Sequence, residues 1–397
     1  MKRICIIHHP IGLGGSTSSM LDLVDMLRDK YEVIACILKE ANDIRNCLES
    51  KNIPFYLFKN PIPSFNYYSG SSSLLTRSSI RCLLKFSRES AYIREIEALK
   101  PDAVIFNSVV TSLSGRKLSK SIKKICFIRE TFRQTIVDRI YRHVLDRYFD
   151  GVCYIAEHER NYLNLQKKET AIIPDCLQPH GIELFSKEEA CKIEGLDDRK
   201  FNILFMGGID PIKGLDNVLK ALSMLDDSVY LIVAGYLEEE MFKIVNILKH
   251  CLNLTYMKYM FRTRKYYIKA QRDKKLICKG FRSDISSLMC ACDVVVFPSN
   301  KAHQPRPGIE AGEYKKTVII SDFEATKEYF IDGYNAVTFK PHDAKDLARN
   351  LVKIRNNKEI LNKLGKNNYF MTKTKHNYKE TKVKLQEFIN KCVFRSE

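Results

Sequence analysis

The sequence predicts an α/β protein with two domains of similar size, each built on a parallel sheet. Short apolar runs of strand length alternate with longer amphipathic runs of helix length, which is the pattern of βα units. A polar stretch at 175–200 interrupts the alternation, which begins again near Phe201. A chain of 397 residues also exceeds one core at about 150 residues per domain. We therefore predict domains at 1–178 and 179–366, followed by a helical segment at 367–397 that packs back across the junction.

Each predicted strand is a short apolar run bounded by polar or turn-forming residues. In the first domain the predicted strands are Arg3 to His8, Tyr31 to Leu38, Pro54 to Leu57, Ala103 to Phe106, Lys124 to Ile128, Gly151 to Ile155 and Ala171 to Ile173. In the second they are Asn202 to Met206, Val229 to Ala234, Lys275 to Lys279, Asp293 to Phe297, Thr317 to Ser321 and Ala336 to Phe339.

Helical spacing of apolar residues places helices between these strands. The periodicity predicts helices over Thr17 to Lys30, Ile136 to Phe149 and Leu215 to Leu222. The serine-rich stretch from Pro61 to Ser79 is interpreted as an exposed loop or insertion.

Composition and charge exclude several classes of protein. A hydrophobic content of 45% rules out a disordered chain, and no run approaches the roughly 18 to 20 apolar residues of a membrane span. The net charge of +18 predicts an anionic partner: nucleic acid, an anionic lipid surface or a phosphorylated substrate. The basic, tyrosine-rich stretch at 258–279 lacks any nucleic-acid-binding motif, so we expect no nucleic-acid partner.

Cysteine usage indicates a reducing compartment and no metal site. The thirteen cysteines are scattered singly, without the spacing of a disulfide framework. The close pair Cys290 and Cys292 has no second pair at zinc spacing and is interpreted as buried small side chains. We therefore expect a cytoplasmic protein that holds no metal.

A glycine-rich loop follows the first strand. Gly14, Gly15 and Ser16 precede a helix whose N-terminus favours anions. The dinucleotide fingerprint G-x-G-x-x-G is incomplete, since Thr17 occupies its third glycine position, although Glu40 imitates the ribose-binding acid. The alternatives are a ligand-binding loop and a tight turn with no ligand.

A similar loop follows the first strand of the second domain. Gly207 and Gly208 begin a turn that ends at Lys213, just before a predicted helix. Backbone amides and one ammonium at such a position suit a diphosphate. A Walker A motif is excluded because G-x-x-x-x-G-K-[ST] cannot be written over this stretch.

The stretch after Pro298-Ser299 brings Arg306 and Glu310 four residues apart, with a helix predicted to start near the carboxylate. A glutamate there is able to accept hydrogen bonds from ribose hydroxyls while the arginine faces phosphate. The alternative is a helix-capping glutamate beside a surface arginine.

Seven motifs from Phe201 to Phe339 are similar, in kind and order, to the donor-binding half of retaining GT-B glycosyltransferases of family 4. They read G-G-x-x-x-x-K-G, I-V-A-G, G-F-x-S-D, V-V-V-F-P-S, R-P-x-I-E-A-G, V-I-x-S-D and K-E-x-x-x-D-G-x-N. The resemblance implies the GT-B architecture, two Rossmann-like domains facing across a cleft, with the sugar nucleotide in the second domain and the acceptor bound by the first.

The resemblance also implies roles for individual residues. Lys213 would neutralise the donor diphosphate and Glu310 would bind the ribose. The remaining implied contacts are amides of Ala311 and Gly312 near phosphate, and Gly280, Phe281 and Arg282 bordering the base. Fixed cations, Lys213 and Arg306, would then stabilise the leaving diphosphate without metal or other cofactor.

The sequence departs from the family pattern at three places. The first Glu of the family's E-x7-E motif is replaced by Ala302, with His303 beside it, and the usual Arg of the phosphate loop is replaced by Gly208. In the first domain Arg129 and Glu130 end a strand where many members place a functional His. His303 or Arg306 is the candidate substitute for the lost groups, and Glu130 is a candidate catalytic residue.

These observations favour a hexosyltransferase that moves a sugar, with retention, from a nucleotide sugar to a glycan or lipid-linked acceptor, in cell-surface polysaccharide biosynthesis. The basic first domain predicts peripheral association with an anionic leaflet. Two alternatives stay open: an enzyme like the nucleotide-sugar 2-epimerases, which share this architecture, and a non-enzymatic basic polyanion-binding protein.

Overall fold

The computed structural model describes residues 1–65, 82, 84–132, 135–165, 168–177, 182–235, 254–282 and 284–394. Most of the predicted loop from Pro61 to Ser79 lies outside these residues. The contacts divide the chain into two compact units, Met1–Gln178 with His376–Glu397, and Pro179–Lys375.

All predicted strands are present, and their ends move by no more than two residues. The strands of the first unit are β1 (Arg3–Ile7), β2 (Glu32–Leu38), β3 (Phe55–Phe58), β4 (Ala103–Phe106), β5 (Lys123–Ile128), β6 (Gly151–Tyr154) and β7 (Glu169–Ile172). Those of the second are β8 (Phe201–Met206), β9 (Val229–Ala234), β10 (Leu276–Gly280), β11 (Val294–Phe297), β12 (Thr317–Ser321) and β13 (Ala336–Phe339).

The helices of the described residues fill the intervals between strands and the C-terminal segment. They are α1 (Gly15–Leu27), α2 (Asn42–Ser50), α3 (Glu89–Ala98), α4 (Ile136–Tyr148), α5 (Glu157–Leu163), α6 (Lys187–Glu194), α7 (Leu215–Leu222), α8 (Leu254–Arg272), α9 (Ser286–Ala291), α10 (Arg306–Glu313), α11 (Ala344–Arg355), α12 (Lys358–Lys375) and α13 (Tyr378–Phe394). Short 3₁₀ turns cover Phe86–Arg88, Val109–Lys117, Pro211–Lys213 and Glu324–Thr326.

Both sheets are parallel throughout the described residues. Their strand orders are β3-β2-β1-β4-β5-β6-β7 and β10-β9-β8-β11-β12-β13. Each order reverses direction beside the first strand of its unit, so the loops after β1 and β4, and those after β8 and β11, diverge at one edge. In open α/β sheets ligands bind at the carboxyl edge near such a reversal. The predicted α/β class with two Rossmann-like domains is confirmed.

Burial of the strands on both faces holds each sheet. Ile4, Cys5 and Ile6 of β1 are fully buried, as are Val294 and Val295 of β11. This explains why the strands are continuous apolar runs rather than alternating ones. Of the 13 cysteines, the described ones are free thiols, most of them buried, including Cys290 and Cys292.

The predicted C-terminal segment consists of parts of two helices that belong to different units. Residues to Lys375 lie in the second unit, and those from His376 lie in the first. Within the first unit, Gln386 of α13 donates to Met26 O at 2.7 Å and to Asp29 Oδ1 at 2.9 Å. A Cβ on Gly151 would lie 2.5 Å from Cys392 Sγ, so α13 packs directly on the start of β6.

Candidate functional sites at the carboxyl edges of the sheets

Lys213 is held at the carboxyl edge of the second sheet by a turn that needs glycine. It ends the 3₁₀ turn after β8, and Gly214 follows with a left-handed φ of 72°. A Cβ on Gly214 would lie 1.7 Å from Pro298 O in the loop after β11. The turn therefore sits in backbone contact with the neighbouring loop, which only glycine permits.

Asn300 ties the same two loops together. Its backbone N–H donates to Ile212 O at 2.8 Å and its Nδ2 donates to Pro211 O at 2.8 Å. Asn217 Nδ2 donates to Asn300 Oδ1 at 2.7 Å. Sequence reasoning missed this residue, although its place just after the strand-ending Pro298-Ser299 was a signal.

The ammonium of Lys213 contacts a neutral imidazole. Lys213 Nζ lies 3.1 Å from His303 Nε2, and His303 Nδ1 lies 3.0 Å from Lys301 O. Because an ammonium only donates, Nε2 accepts and the Nδ1–H donates to Lys301 O. Burial, followed by the charge of Lys213, lowers the pKa of His303 to about 3.

Lys213 carries a charge that no carboxylate of the described residues balances at salt-bridge distance. Burial lowers its pKa, against the attraction of Asp210. A desolvated cation held by a neutral group gains from the arrival of an anion, which restores the lost interaction. The contact between Lys213 and His303, two separately predicted donor-site residues, was not itself predicted from the sequence.

Arg306 and Glu310 also come together, on the first turns of α10. Arg306 Nε donates to Glu310 Oε1 at 2.9 Å, and the two side chains are 15% and 22% exposed. The helix begins at Arg306, not near Glu310 as predicted, because Pro305 O already accepts from the N–H groups of Gly308 and Ile309. The carboxylate is therefore on the helix surface rather than at its cap.

Ala311 and Gly312 differ from the sequence-based expectation. Both lie inside α10, so their N–H groups are used in helical hydrogen bonds rather than offered to a phosphate. A Cβ on Gly312 would lie 2.0 Å from Thr372 Oγ1 of α12. Gly312 thus provides space for close helix packing.

The arginine of the loop after β10, Arg282, forms an ion pair within the second unit. Arg282 contacts Glu194 of α6 through both guanidinium ends, at 3.2 and 3.3 Å. Burial alone would raise the pKa of Glu194, but Ser287, Arg282 and Lys279 outweigh it and lower the pKa. Phe281 is 39% exposed beside Gly280, so a contact with the base stays a prediction for this loop's backbone and ring.

Open space lies beside part of the glycine loop that follows β8. Gly207 N–H donates to Ala234 O at 3.1 Å, whereas a Cβ on Gly208 would meet nothing within 4 Å. Nearby, the buried hydroxyls of Ser299 and Ser321 have no hydrogen-bond partner among the described residues. Both follow or end a strand at this edge, and both lie within the sequence motifs, although neither was among the predicted site residues.

In the first unit a chain of hydrogen bonds crosses three adjacent strand ends. Asn107, after β4, donates from Nδ2 to His8 Nδ1 at 3.4 Å and accepts at Oδ1 from Arg129 Nε at 2.9 Å. His8 Nε2, after β1, lies 3.2 Å from Thr17 Oγ1, which donates to Gly12 O at 3.1 Å. His8 and Asn107 were not among the predicted site residues.

Arg129 and Glu130, the predicted pair after β5, have different partners. Arg129 forms a short ion pair with Asp175, whose Oδ1 also accepts from Ser19 Oγ at 3.0 Å. Glu130 accepts from Ser108 Oγ and, at 3.1 Å, from the N–H of Arg129. Burial raises the pKa of Glu130, and these donors oppose the rise.

The glycine loop of the first unit leads into α1 as predicted. Gly15 is the first helical residue, and Gly14 O accepts from the N–H groups of Thr17 and Ser18. Gly14, Gly15 and Ser16 are all exposed. A Cβ on Gly14 would meet nothing within 4 Å, so space beside the helix N-terminus is open.

The buried imidazole of His8 should make the stability of the fold sensitive to acid. Burial, with the charges of His9 and Arg129, lowers its pKa to about 3, below the unfolded value near 6.5. Its neutral form therefore contributes stability that is fully present above pH 6.5 and is lost as the pH falls toward 3. By pH 5 the free energy of unfolding has fallen by about 2 kcal/mol. We expect His8→Gln to flatten the fall in thermal stability between pH 7 and 5; an unchanged slope would contradict this.

Two further properties concern the described residues only. No group of three or more His, Cys, Asp or Glu side chains in them is placed to hold a metal ion. No helix among them combines the length and apolar character needed to span a bilayer.

Comparison with known proteins finds a family similarity over most of the second unit. Residues 186–371 match the family described as Glycosyl transferases group 1. The chain is 23% identical over 368 residues to the uncharacterized glycosyltransferase MJ1178 of Methanocaldococcus jannaschii, covering 91% of this chain and 90% of that protein. Over 88 residues it is 33% identical to N,N'-diacetylbacillosaminyl-diphospho-undecaprenol alpha-1,3-N-acetylgalactosaminyltransferase of Campylobacter jejuni, covering 22% of this chain and 23% of that enzyme.

Among solved structures, Alr3699/HepE of Anabaena in complex with UDP-glucose aligns with a TM-score of 0.77 at 16% identity, over 98% of this chain and 100% of that one. At this identity the likeness shows the fold alone. The fold of the chain is therefore of the GT-B type, and residues 186–371 of the second unit match the glycosyl transferases group 1 family.

Proposed function

We propose that the protein is a retaining glycosyltransferase of family 4 type that moves a hexosyl group from a nucleotide sugar to a glycan or lipid-linked acceptor. The observation that carries the proposal is the Lys213 ammonium. It is desolvated, held by neutral His303, and placed in a loop of the glycosyl transferases group 1 domain. The unit that holds it would bind the donor.

The same edge offers groups for the rest of the donor. Glu310 would accept hydrogen bonds from the ribose hydroxyls, with Arg306 fixing its carboxylate through the 2.9 Å contact. The open space at Gly208 would admit the diphosphate to the backbone. The unpartnered hydroxyls of Ser299 and Ser321 are candidates for polar contacts with the donor.

Catalysis would then be electrostatic. Negative charge grows on the leaving diphosphate as the glycosidic bond breaks, and a fixed cation beside it interacts more strongly with the transition state than with the bound donor. Lys213 is already desolvated and positioned, so little reorganisation accompanies this gain. The reaction would need no metal.

The first unit would bind the acceptor. Arg129, held between Asn107 and Asp175, and Glu130, with its raised pKa, lie at one carboxyl edge. The name of the Campylobacter relative includes a diphospho-undecaprenol acceptor, and this supports a lipid-linked acceptor here. We place the reaction on the cytoplasmic side, in cell-surface polysaccharide biosynthesis.

Calorimetric titration with UDP, GDP, ADP and CMP, and then with their sugars, tests donor binding. We expect one nucleoside diphosphate to bind, and Glu310→Gln to weaken it about tenfold or more because hydrogen bonds to an ionised acceptor are lost. Glu359→Gln, at an exposed position of α12, is the matched control and should bind like the parent. Equal affinity of Glu310→Gln and parent would remove the ribose role.

Transfer is tested with the donor so identified and a panel of glycan and polyprenyl-diphosphate acceptors, followed by proton NMR of the product's anomeric coupling. An inverted anomer would disprove retention, and loss of activity on chelation would disprove metal independence. An epimerised nucleotide sugar formed without acceptor would overturn the transferase assignment.

A further inference from the structure

Helix α4 exposes two large apolar side chains on its solvent face. Ile136 is 66% exposed and Ile140 is 51% exposed, four residues apart and so on one face. The opposite face supplies the core contacts, with Val137 and Tyr141 buried. The helix is therefore anchored in the unit while its outer side remains apolar at the N-terminal end.

The same outer side is basic. Arg139, Arg142 and Arg147 are exposed, and none has a carboxylate of the described residues at salt-bridge distance. Arg142 donates to Asn164 O at 3.4 Å, and Arg147 lies over its neighbouring Tyr148 ring at 5.8 Å.

Carboxylates are scarce around this face. Asp146 is half-buried on the same side of α4, and Asp138 points inward, where it accepts from Tyr162 at 2.9 Å. The charge of the face is therefore positive.

The position of α4 brings this face close, along the chain, to the carboxyl edge of the first sheet, where the acceptor is proposed to bind. The helix follows β5 and the pair Arg129 and Glu130, so its N-terminal turn, with Ile136, is close in the chain to the carboxyl edge of the sheet. Apolar groups at that end and arginines along the helix match the layering of an anionic bilayer, whose acyl boundary lies beneath a phosphate layer.

We propose that the outer face of α4, defined by Ile136, Arg139, Ile140, Arg142 and Arg147, docks on an anionic lipid bilayer. The isoleucines enter the headgroup boundary and the arginines contact lipid phosphates. The reason for the docking rests on the proposed function, because a lipid-linked acceptor presents its diphosphate at that surface. The binding itself does not depend on transfer.

Helix α8 offers the competing surface. Leu254, Phe261 and Ile268 are 74%, 64% and 52% exposed, with Lys258 and Lys265 between them. Helix α4 is favoured because it follows Arg129 and Glu130 at the carboxyl edge of the first sheet, where the acceptor is proposed to bind.

Sedimentation of the full chain with vesicles tests the proposal. Vesicles of phosphatidylcholine alone are compared, at low and high salt, with vesicles that also contain the anionic lipid phosphatidylglycerol. We expect binding to the anionic vesicles only. Arg139→Gln with Arg142→Gln should weaken it about 25-fold, about fivefold for each arginine. Ile136→Ser with Ile140→Ser should weaken it about tenfold or more.

The matched control is Lys258→Gln with Lys265→Gln, which removes two charges from α8 and should leave binding unchanged. Loss of binding in the α8 variant, with the α4 variants unaffected, would overturn the proposal. So would α4 variants that lose affinity for a short DNA duplex while keeping the parent's affinity for vesicles. Donor titration of the same variants separates the two proposals, since failed vesicle binding with intact donor binding contradicts the docking alone.

Discussion

Replacing Lys213 by alanine should lower kcat of sugar transfer by about a hundredfold to a thousandfold. Loss of one fixed group that stabilises charge in a transition state has an effect of this size. Donor affinity should fall less, because the charge that Lys213 meets is greatest in the transition state. Initial rates at saturating donor, with the nucleotide sugar found by titration, measure the effect.

Lys345→Ala supplies the control for this prediction. Lys345 is exposed on α11, and its removal takes away the same charge without touching the loop after β8. Lys213→Arg keeps the charge with a different shape and should recover part of the rate. A Lys213→Ala enzyme with near-parental kcat would show that the diphosphate is stabilised elsewhere.

Replacing Gly214 by alanine should destabilise the second unit strongly. The φ of 72° disfavours any residue with a Cβ by about 1 kcal/mol, and the Cβ would meet Pro298 O at 1.7 Å. Separating the two loops adds to the cost, so we expect about 3 kcal/mol or more in total. In calorimetry the transition of this unit should fall by roughly 6 to 12 °C.

Gly333 isolates the two contributions. Its φ of 71° is within a degree of that of Gly214, but a Cβ there would meet nothing within 4 Å. Gly333→Ala should therefore cost about 1 kcal/mol, the conformational part alone. Equal shifts of the melting transition for the two variants would show that the clash between the added Cβ and Pro298 O costs no stability, and would contradict this prediction.

The strands were the most predictable part of the fold. Continuous apolar runs such as Val229–Ala234 and Thr317–Ser321 are buried on both faces of a parallel sheet, so the pattern and the structure agree. The start of α10 was not predictable in the same way. The interaction of Pro305 O with two following N–H groups begins the helix four residues before the glutamate that the pattern favoured.

The candidate site was predictable only in part. Lys213, Arg306 and Glu310 stood out because glycine turns and charged residues follow strand-like runs. The partners of such charged residues were not predictable, because they lie far away in the sequence. Lys213 contacts His303, 90 residues away, and Arg282 contacts Glu194, 88 residues away. Polar residues that belong to no motif, such as Asn300 and Asn107, were recognised as part of the sites only from the hydrogen bonds that they form.

The α/β class, the repetition of βα units in two domains and the charged residues after the strands were all predictable from the amino-acid sequence. Those properties depend on local periodicity and composition, which a linear sequence displays. Which strand ends are adjacent became known from the three-dimensional structure. That adjacency brings His8, Asn107 and Arg129 into one chain of hydrogen bonds and joins the loops of Lys213 and Asn300. Strand order arises from long-range packing, so contacts between residues far apart in sequence have no local signal.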